Sequence, residues 1–379
     1  MNRTRVSGPV VENLCGSVVV RAPVIPGVRR RKTPPNEGLM QLLAELSGQA
    51  LLNAINASQF DPQSTGGFYE SYFLRANHPT EPRAFWIRYT LFCPRGSVGK
   101  AVGQLWGIYF DGTTSDLASV KQAVPFSACS FSRTKLDVQI GQARLDGACL
   151  QGMAASEDTQ FSWNLAYRGE SPPSFLLPLE FYSRGFPKAK VVTGIPLADY
   201  TGCINLNGKE ISVDGWRGSQ NHNWGPRHTD RYAWGQVAGF DGNLDAFLEC
   251  STARLRFGPV WTPWFTNLVL RIPGREFHLN SLTQSLRNRA RYRCFDWTIT
   301  SSAGPVTAIV TFTARSDMFV GLGYDDPPGG KRTCLNTKLA ACSVQIIESG
   351  KQAIALSTSN RAAFEILTTT ESHGLELSA

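Results

Sequence analysis

Residues 84–93 read Ala-Phe-Trp-Ile-Arg-Tyr-Thr-Leu-Phe-Cys, and this composition is typical of a β-strand. Aromatic and β-branched side chains of this kind pack well on the pleated surface of a sheet. Similar stretches lie on both sides, at residues 68–74 and 103–110, and turn residues separate them. Three strands in succession with short connections predict an antiparallel sheet.

The strand pattern continues to the C-terminus, whereas residues 38–57 have the three- and four-residue apolar spacing of an amphipathic helix. Many short strands after one early helix predict an antiparallel all-β fold. We expect a basic leader at residues 1–37, the helix at 38–60, and two β-domains at 61–200 and 201–379. Each domain has the length of a closed barrel whose interior can hold a small ligand.

The composition is that of a globular protein, since 42% of the residues are hydrophobic and 18% are charged. No apolar run reaches the roughly 18 residues of a membrane-spanning helix. The nine cysteines are scattered without a CxxC pair. This pattern favours reduced thiols in a cytoplasmic protein and argues against a structural zinc site.

The net charge of +8 is concentrated near the N-terminus. Residues 1–35 contain seven arginines and lysines and a single acid, Glu12, so the rest of the chain is close to neutral. Such a leader is typical of a disordered segment, and weak affinity for an anionic membrane surface is the alternative. This second interpretation would make the cytoplasmic protein peripherally membrane-associated.

Four alternating arginines at residues 287–293 form a basic stripe. A nucleic-acid site would also need aromatic side chains on the same face, on which bases stack, and the sequence does not place them there. A solvated face or a contact with anionic lipid headgroups fits the stripe at least as well. We therefore expect no nucleic-acid partner.

Residues 216–240 combine large aromatic and directional polar side chains more densely than an ordinary core segment does. They hold two of the five histidines and three of the nine tryptophans. A ligand pocket needs apolar walls together with a few polar groups that orient or protonate the ligand. We therefore predict the functional site here, with Trp216, Asn221, Trp224 and Trp234 among the substrate-binding residues.

His222 and Trp224 are two residues apart, so in an extended segment they face the same side. A histidine beside an indole can direct a proton onto a hydrocarbon-like substrate, while the indole face stabilises a developing cation. The alternative is a structural histidine that binds loop backbone groups. Asp230 and Tyr232 follow the same alternation. Asp230 is either an acid that keeps its proton in a dry cavity or a turn residue paired with a neighbouring arginine.

Glu70 and Glu249 lie inside apolar strands. A glutamate that faces a barrel interior is costly unless it is paired, and would be a candidate for substrate binding or acid chemistry. An outward, solvated glutamate is the alternative. The histidines and Asp230 lack the spacing of known metal motifs, and the sequence has no nucleotide-binding motif. Any chemistry is therefore expected to need neither a metal nor a cofactor.

Residues 218–225 (Gly-Ser-Gln-Asn-His-Asn-Trp-Gly) and 232–236 (Tyr-Ala-Trp-Gly-Gln) resemble the hydroxyneurosporene synthases, or carotenoid 1,2-hydratases, and their AttH-like relatives. Weaker similarity covers residues 68–77 and 324–327. The resemblance implies two lipocalin-like barrels, with an acid–base apparatus at His222 and Trp224 and, with them, Asp230 and Tyr232. AttH-like members have a Glu-Trp-Trp-Tyr segment early in the first barrel. Here residues 69–72 keep the glutamate without the tryptophans, which leaves the substrate open.

These observations predict a cofactor-independent hydratase, or a cyclase or isomerase, acting on a carbon–carbon double bond of a hydrophobic, terpenoid- or carotenoid-like substrate. A buried acid would protonate the double bond, with Asp230 as first choice and Glu70 or Glu249 as alternatives. Aromatic side chains headed by Trp224 would shield the cation, and His222 would orient the acid or activate water. The alternative is a lipocalin-like carrier that binds a hydrophobic ligand in the same pocket without chemistry.

Overall fold

The computed structural model describes residues 46–368 and 373–377, most of which lie in antiparallel β-strands. The leader predicted at residues 1–37 lies outside the described residues. Of the helix predicted at residues 38–60, the described part forms helix α1 (Gly48–Asn56), and residues 57–60 are not helical. Among the described residues no helix is long and apolar enough to cross a membrane.

The first sheet has twelve strands and contains the N-terminal half of the described chain. Its strands are β1 (Phe68–Asn77), β2 (Arg83–Cys93), β3 (Val102–Asp111), β4 (Asp116–Pro125), β5 (Cys129–Phe131), β6 (Asp137–Ile140), β7 (Ala143–Asp146), β8 (Cys149–Ala155), β9 (Gln160–Arg168), β10 (Lys190–Leu206), β11 (Lys209–Ser212) and β12 (Trp216–Gly225). They follow the order β4-β3-β2-β1-β12-β10-β9-β8-β7-β6-β5, with β11 paired to β10. The sheet curls into a nearly closed barrel in which β4 approaches β8.

The second sheet has ten strands and contains most of the C-terminal half. The strands of this half are β13 (Arg231–Phe240), β14 (Asn243–Arg254), β15 (Arg256–Phe257), β16 (Val260–Trp261), β17 (Phe265–Ile272), β18 (Arg275–His278), β19 (Arg289–Arg293), β20 (Asp296–Ala303), β21 (Val306–Thr313), β22 (Val320–Asp325), β23 (Lys331–Glu348) and β24 (Ile354–Thr368). The sheet follows the order β18-β17-β14-β13-β24-β23-β21-β20-β19, with β22 paired to β23, and β15 and β16 form a separate hairpin.

Short helices fill the connections between the strands. They are α2 (Glu180–Ser183), α3 (Leu282–Arg287) and the 3-10 helices Val98–Lys100, Phe126–Ala128 and Ser316–Met318. The Ser281 side chain caps α3 by accepting a hydrogen bond from the backbone N–H of Gln284.

The two sheets divide between Gly225 and Arg231, whereas the boundary predicted after residue 200 falls inside β10. Strand β10 is 17 residues long and pairs with β9 at one end and with β12 at the other. Two irregularities in its pairing with β12 allow it to bend and serve both neighbours. Strand β12 pairs with β1 as well, and therefore belongs to the first sheet.

Burial explains why some strands are apolar throughout and others alternate. In β9 every second residue is buried, because only one face points into the first barrel. Strand β2 is buried along most of its length on both faces. One face of β2 joins the barrel core, and the other faces the second sheet through Trp86. The stretch that most clearly predicts a strand from its sequence is therefore the one trapped between the two sheets.

A polar network joins the sheets beside this shared apolar layer. The fully buried Arg75 of β1 donates from Nε to Gln236 Oε1 (3.0 Å) and from Nη2 to Gln236 O (3.1 Å). Ser219 also donates to Gln236 Oε1 (2.6 Å). Gly218 permits the close approach of β12 to β1, since a Cβ added there would lie 1.7 Å from Arg75 O. The backbones of β1 and β12 therefore have a fixed spacing beside the contact between the sheets.

Candidate functional site

A cavity of about 170 Å³ lies between the two barrels. Its walls are mainly apolar, and the aromatic side chains on strands of both sheets include Tyr69, Phe73, Trp86, Tyr232, Trp234 and Tyr324. Polar and charged side chains reach it at separate points: Arg88, Lys190, Asn223, His228 and Glu365. Apolar walls with a few polar groups are the usual construction of a small-molecule site.

His228 sits in the turn between β12 and β13 and is held by its neighbours. Its ring stacks on Tyr69, with 4.0 Å between the ring centroids, and on Tyr324, with 5.6 Å. Its backbone N–H donates to Asp326 Oδ1 (2.9 Å). Burial, reinforced by the nearby charge of Arg88, lowers the pKa of His228 to about 3. The imidazole is therefore neutral near pH 7 and can accept a proton.

The pKa values of the two tyrosines beside His228 are raised, whereas that of His228 is lowered. Burial raises the pKa of Tyr69 and that of Tyr324 well above the ordinary value for a phenol. Both phenols therefore keep their protons near neutral pH. A neutral imidazole and a protonated phenol stacked on each other form a base and an acid that face the same cavity.

Arg88 projects from the middle of β2. Its Nε donates to Ser71 Oγ, and its Cζ lies 4.6 Å from the ring centroid of Tyr324. Only 4% of the residue is exposed. Within residues 46–368 and 373–377 no carboxylate forms an ion pair with it, because Asp325 pairs with Lys121 (3.7 Å) and Asp326 with Arg332 (3.2 Å).

Glu249 is buried close to the cavity without lining it. Trp234 Nε1 and Thr193 Oγ1 each donate to its carboxyl group at 3.1 Å. Burial raises the pKa of Glu249 to about 7. Trp234 lines the cavity, so Glu249 acts on the site by fixing this indole. The inward orientation is one of the two alternatives that the sequence left open.

His222, predicted as catalytic, lies outside the cavity. Its Nε2 contacts Glu70 Oε1 at 2.9 Å and its Nδ1 contacts Ile55 O at 2.8 Å. Tyr72 and Trp224 stack on its two faces, at 4.2 and 4.5 Å. The other hydrogen bonds of the Glu70 carboxylate come from the segment after α1, since Ser58 Oγ and the Gln59 N–H both donate to it.

His222 lies outside the cavity because of the face of β12 on which its side chain lies. His222 and Trp224 do share a face of β12, as predicted, but that face meets α1 and the segment after it. Asn223, on the opposite face, lines the cavity. His222 and Glu70 therefore form a buried anchor for the N-terminal segment, and Trp224 packs beside Tyr182.

Asp230 is also placed away from the cavity. Arg227 and Arg332 bind its Oδ1 at 2.6 and 3.1 Å, and the backbone N–H of Arg256 donates to its Oδ2 (2.8 Å). Three donors occupy this carboxylate, so it is the paired turn residue that the sequence offered as the alternative to an acid.

The remaining predicted residues divide between wall and core. Tyr232 and Trp234 line the cavity. Trp216 packs in the first barrel against Phe85, and Asn221 is hydrogen-bonded to Gln236 (2.8 Å) between the sheets. Neither Trp216 nor Asn221 reaches the cavity.

Sequence reasoning missed Tyr69, Arg88, Lys190 and Tyr324 as site residues. Arg88 carried a usable signal, because a charge in the centre of an apolar strand is costly unless it has a partner or a function. The same argument had selected Glu70. His228 lies within residues 216–240, where the site was predicted, but it was not among the predicted catalytic residues.

Comparison with known proteins supports the fold and leaves the activity open. No protein-family model matches the sequence. Uncharacterized proteins from two strains of Mycobacterium tuberculosis are 28% identical over 214 residues. The match covers 55% of this chain and 61% of each relative, so the chain spans less than two thirds of these relatives.

One solved structure with a TM-score of 0.50 shares the architecture, and two others are weaker matches. Kievitone hydratase from Nectria haematococca matches with a TM-score of 0.50 and 12% identity, covering 82% of this chain and 91% of that chain. An AttH protein from Nitrosomonas europaea has a TM-score of 0.48 and 12% identity, covering 80% and 92%. CghA has a TM-score of 0.48 and 13% identity, covering 85% and 97%. The predicted all-β fold of two lipocalin-like barrels is confirmed.

Proposed function

We propose that this chain is a cofactor-independent hydratase or cyclase that acts on a carbon–carbon double bond of a hydrophobic substrate in the cavity between the barrels. The observation that carries the proposal is the stack of neutral His228 on protonated Tyr69 inside aromatic walls. The fold shared with kievitone hydratase supports the reaction class.

The charge of Arg88 favours one route for this reaction over the other. Addition of water to an isolated double bond passes through a carbocation, which the guanidinium would destabilise. A double bond conjugated to a carbonyl instead places negative charge on the carbonyl oxygen, which Arg88 would stabilise. We therefore favour a conjugated substrate over the cationic route that the sequence suggested; a terpenoid or carotenoid body stays a prediction.

The proposed steps use groups that line the cavity. His228 takes a proton from water as the oxygen bonds to the carbon remote from the carbonyl, and the π electrons move to the carbonyl oxygen beside Arg88. Tyr69 then donates its proton to the carbon next to the carbonyl, and the imidazolium returns a proton to the phenolate. In a cyclase, a hydroxyl group of the substrate takes the place of water.

The test starts with organic extraction of the purified protein and native mass spectrometry. The extracted ligand is then incubated with wild type, Tyr69→Phe and His228→Gln. We expect wild type to add one water to the ligand or change its chromatographic retention. Both variants should bind the ligand and leave it unchanged. His278→Gln is the matched control, because this histidine is exposed on β18.

The carrier alternative makes a different prediction for the same experiment. Wild type would return the ligand unaltered in mass and retention. Full turnover by both cavity variants would also reject the proposed roles of Tyr69 and His228.

A further inference from the structure

The charge of the cavity wall is unbalanced. Arg88 and Lys190 both line it, and neither forms an ion pair with a carboxylate of the described residues. Among residues 46–368 and 373–377, Lys190 Nζ donates to the carbonyl of Phe181 alone. The acidic residue of the wall, Glu365, is already bound by Lys338 at 2.8 Å. The described wall therefore carries excess positive charge.

Arg88 is the more buried of these two cations. It is 4% exposed, and its surroundings are the rings of Trp86, Trp106 and Tyr324. Aromatic faces attract a cation but do not replace a counter-ion. Burying a charge without a counter-ion has a large free-energy cost. A ligand of opposite charge would offset this cost.

A second unsatisfied group lies beside it. Trp86 Nε1 is a buried donor that has no acceptor among the described residues. The Trp86 ring centroid is 5.7 Å from Arg88 Cζ, and both residues line the cavity. Because Trp86 Nε1 is buried from the cavity as well as from solvent, the donor that a ligand can reach at this corner is Arg88.

An apolar part of the wall adjoins Trp86, whose ring centroid lies 6.2 Å from that of Phe73. Phe73, Leu176 and Trp234 belong to the buried layer shared by the two sheets and also line the cavity. A ligand that fits both parts has one anionic end and a hydrophobic body.

We propose that the cavity selects a hydrophobic carboxylate, whose carboxylate group binds Arg88 and whose apolar body lies along Phe73, Leu176 and Trp234. This deepens the proposed function and rests on it for the reaction. The carbonyl group that conjugates with the double bond is then the carboxylate itself.

The test is isothermal titration calorimetry with 3-phenylpropanoic acid and its methyl ester, which differ in charge, share the hydrophobic body and have a size that suits a cavity of about 170 Å³. We expect wild type to bind the acid at least tenfold more tightly than the ester. Arg88→Gln should weaken acid binding about tenfold and leave ester binding within twofold, whereas Arg88→Lys should retain part of the preference. Arg83→Gln is the matched control, because Arg83 lies on the same strand and pairs with Glu81 (2.7 Å).

Equal binding of acid and ester by wild type, absence of binding by either probe, or an unchanged preference in Arg88→Gln would overturn the proposal. The readout is independent of turnover. A preference for the acid in wild type and in Tyr69→Phe, combined with no reaction of any ligand, would reject the hydratase or cyclase and leave the carboxylate site standing.

Discussion

Burial keeps His228 neutral at mildly acidic pH, where a surface histidine would be protonated. Its pKa falls from the ordinary 6.5 to about 3, while the stacked phenol of Tyr69 has a raised pKa. The two residues therefore keep the same protonation states from mildly acidic to mildly alkaline solution. At neutral pH the site therefore holds a neutral imidazole and a protonated phenol, while the same shifts weaken His228 as a base and Tyr69 as an acid.

The lowered pKa also makes stability depend on pH through His228. Between about pH 3 and 6.5 the unfolded chain binds a proton at this residue and the folded chain does not, so the contribution to stability is lost as the pH falls. We expect His228→Gln to reduce the loss of unfolding free energy between pH 7 and 4.5 by roughly 2 kcal/mol. Urea denaturation at both pH values measures this. An equal loss in wild type and variant would contradict a neutral, buried imidazole.

At the scale of elements, the His222–Glu70 pair connects the segment after α1 to two strands of the first barrel. Glu70 lies on β1 and His222 on β12, opposite Tyr72 in the strand register. Their remaining hydrogen bonds go to Ile55, Ser58 and Gln59. The pair thus holds a segment with little other secondary structure against the barrel.

His222→Ala should therefore act on structure before it acts on chemistry. Removing one partner of a buried pair costs about 3–5 kcal/mol, so we expect a loss of this order in urea denaturation. Limited proteolysis should cut residues 46–60 faster than in wild type. His278→Ala, at an exposed histidine of β18, is the control. Loss of turnover with unchanged stability and unchanged proteolysis would restore a catalytic role for His222.

At the scale of the whole molecule, the two barrels share buried structure and should unfold together. The shared layer contains Trp86 from the first sheet and Trp234 from the second. Arg75 crosses between the sheets by three routes: to Gln236, to the carbonyl of Arg361 (3.3 Å), and to Asn77, which donates to Lys338 O (2.7 Å). The cavity depends on the contact between the two sheets, because its walls come from both of them.

Arg75→Met tests this coupling. We expect wild type to give the same urea midpoint by tryptophan fluorescence and by far-ultraviolet circular dichroism. The variant should lose about 3 kcal/mol or more, because the buried Asn77 Oδ1 loses the Arg75 donor and Gln236 Oε1 keeps Ser219 but loses Arg75. Arg95→Met, at an exposed arginine of the first barrel, should change stability little. A variant as stable as wild type would show that the network does not hold the sheets together.

The sequence identified the right region more accurately than the right residues. Residues 216–240 do contribute Asn223, His228, Tyr232 and Trp234 to the cavity. The predicted His222 and Asp230 instead meet protein partners that lie far away in the chain, Glu70 and Arg332. Nothing in the local pattern distinguishes a polar group that awaits a ligand from one that a distant residue already satisfies.

By itself, the sequence determined the all-β class, the two-barrel fold and most strands, because these follow from local composition and the two-residue period of a strand. That period defines two faces of β12 and leaves open what each face meets. Only the tertiary structure decided that His222 faces α1 while Asn223 faces the cavity, and that β12 belongs to the first sheet. Both outcomes depend on pairing with strands and segments about 150 residues away, which are long-range contacts that no local pattern encodes.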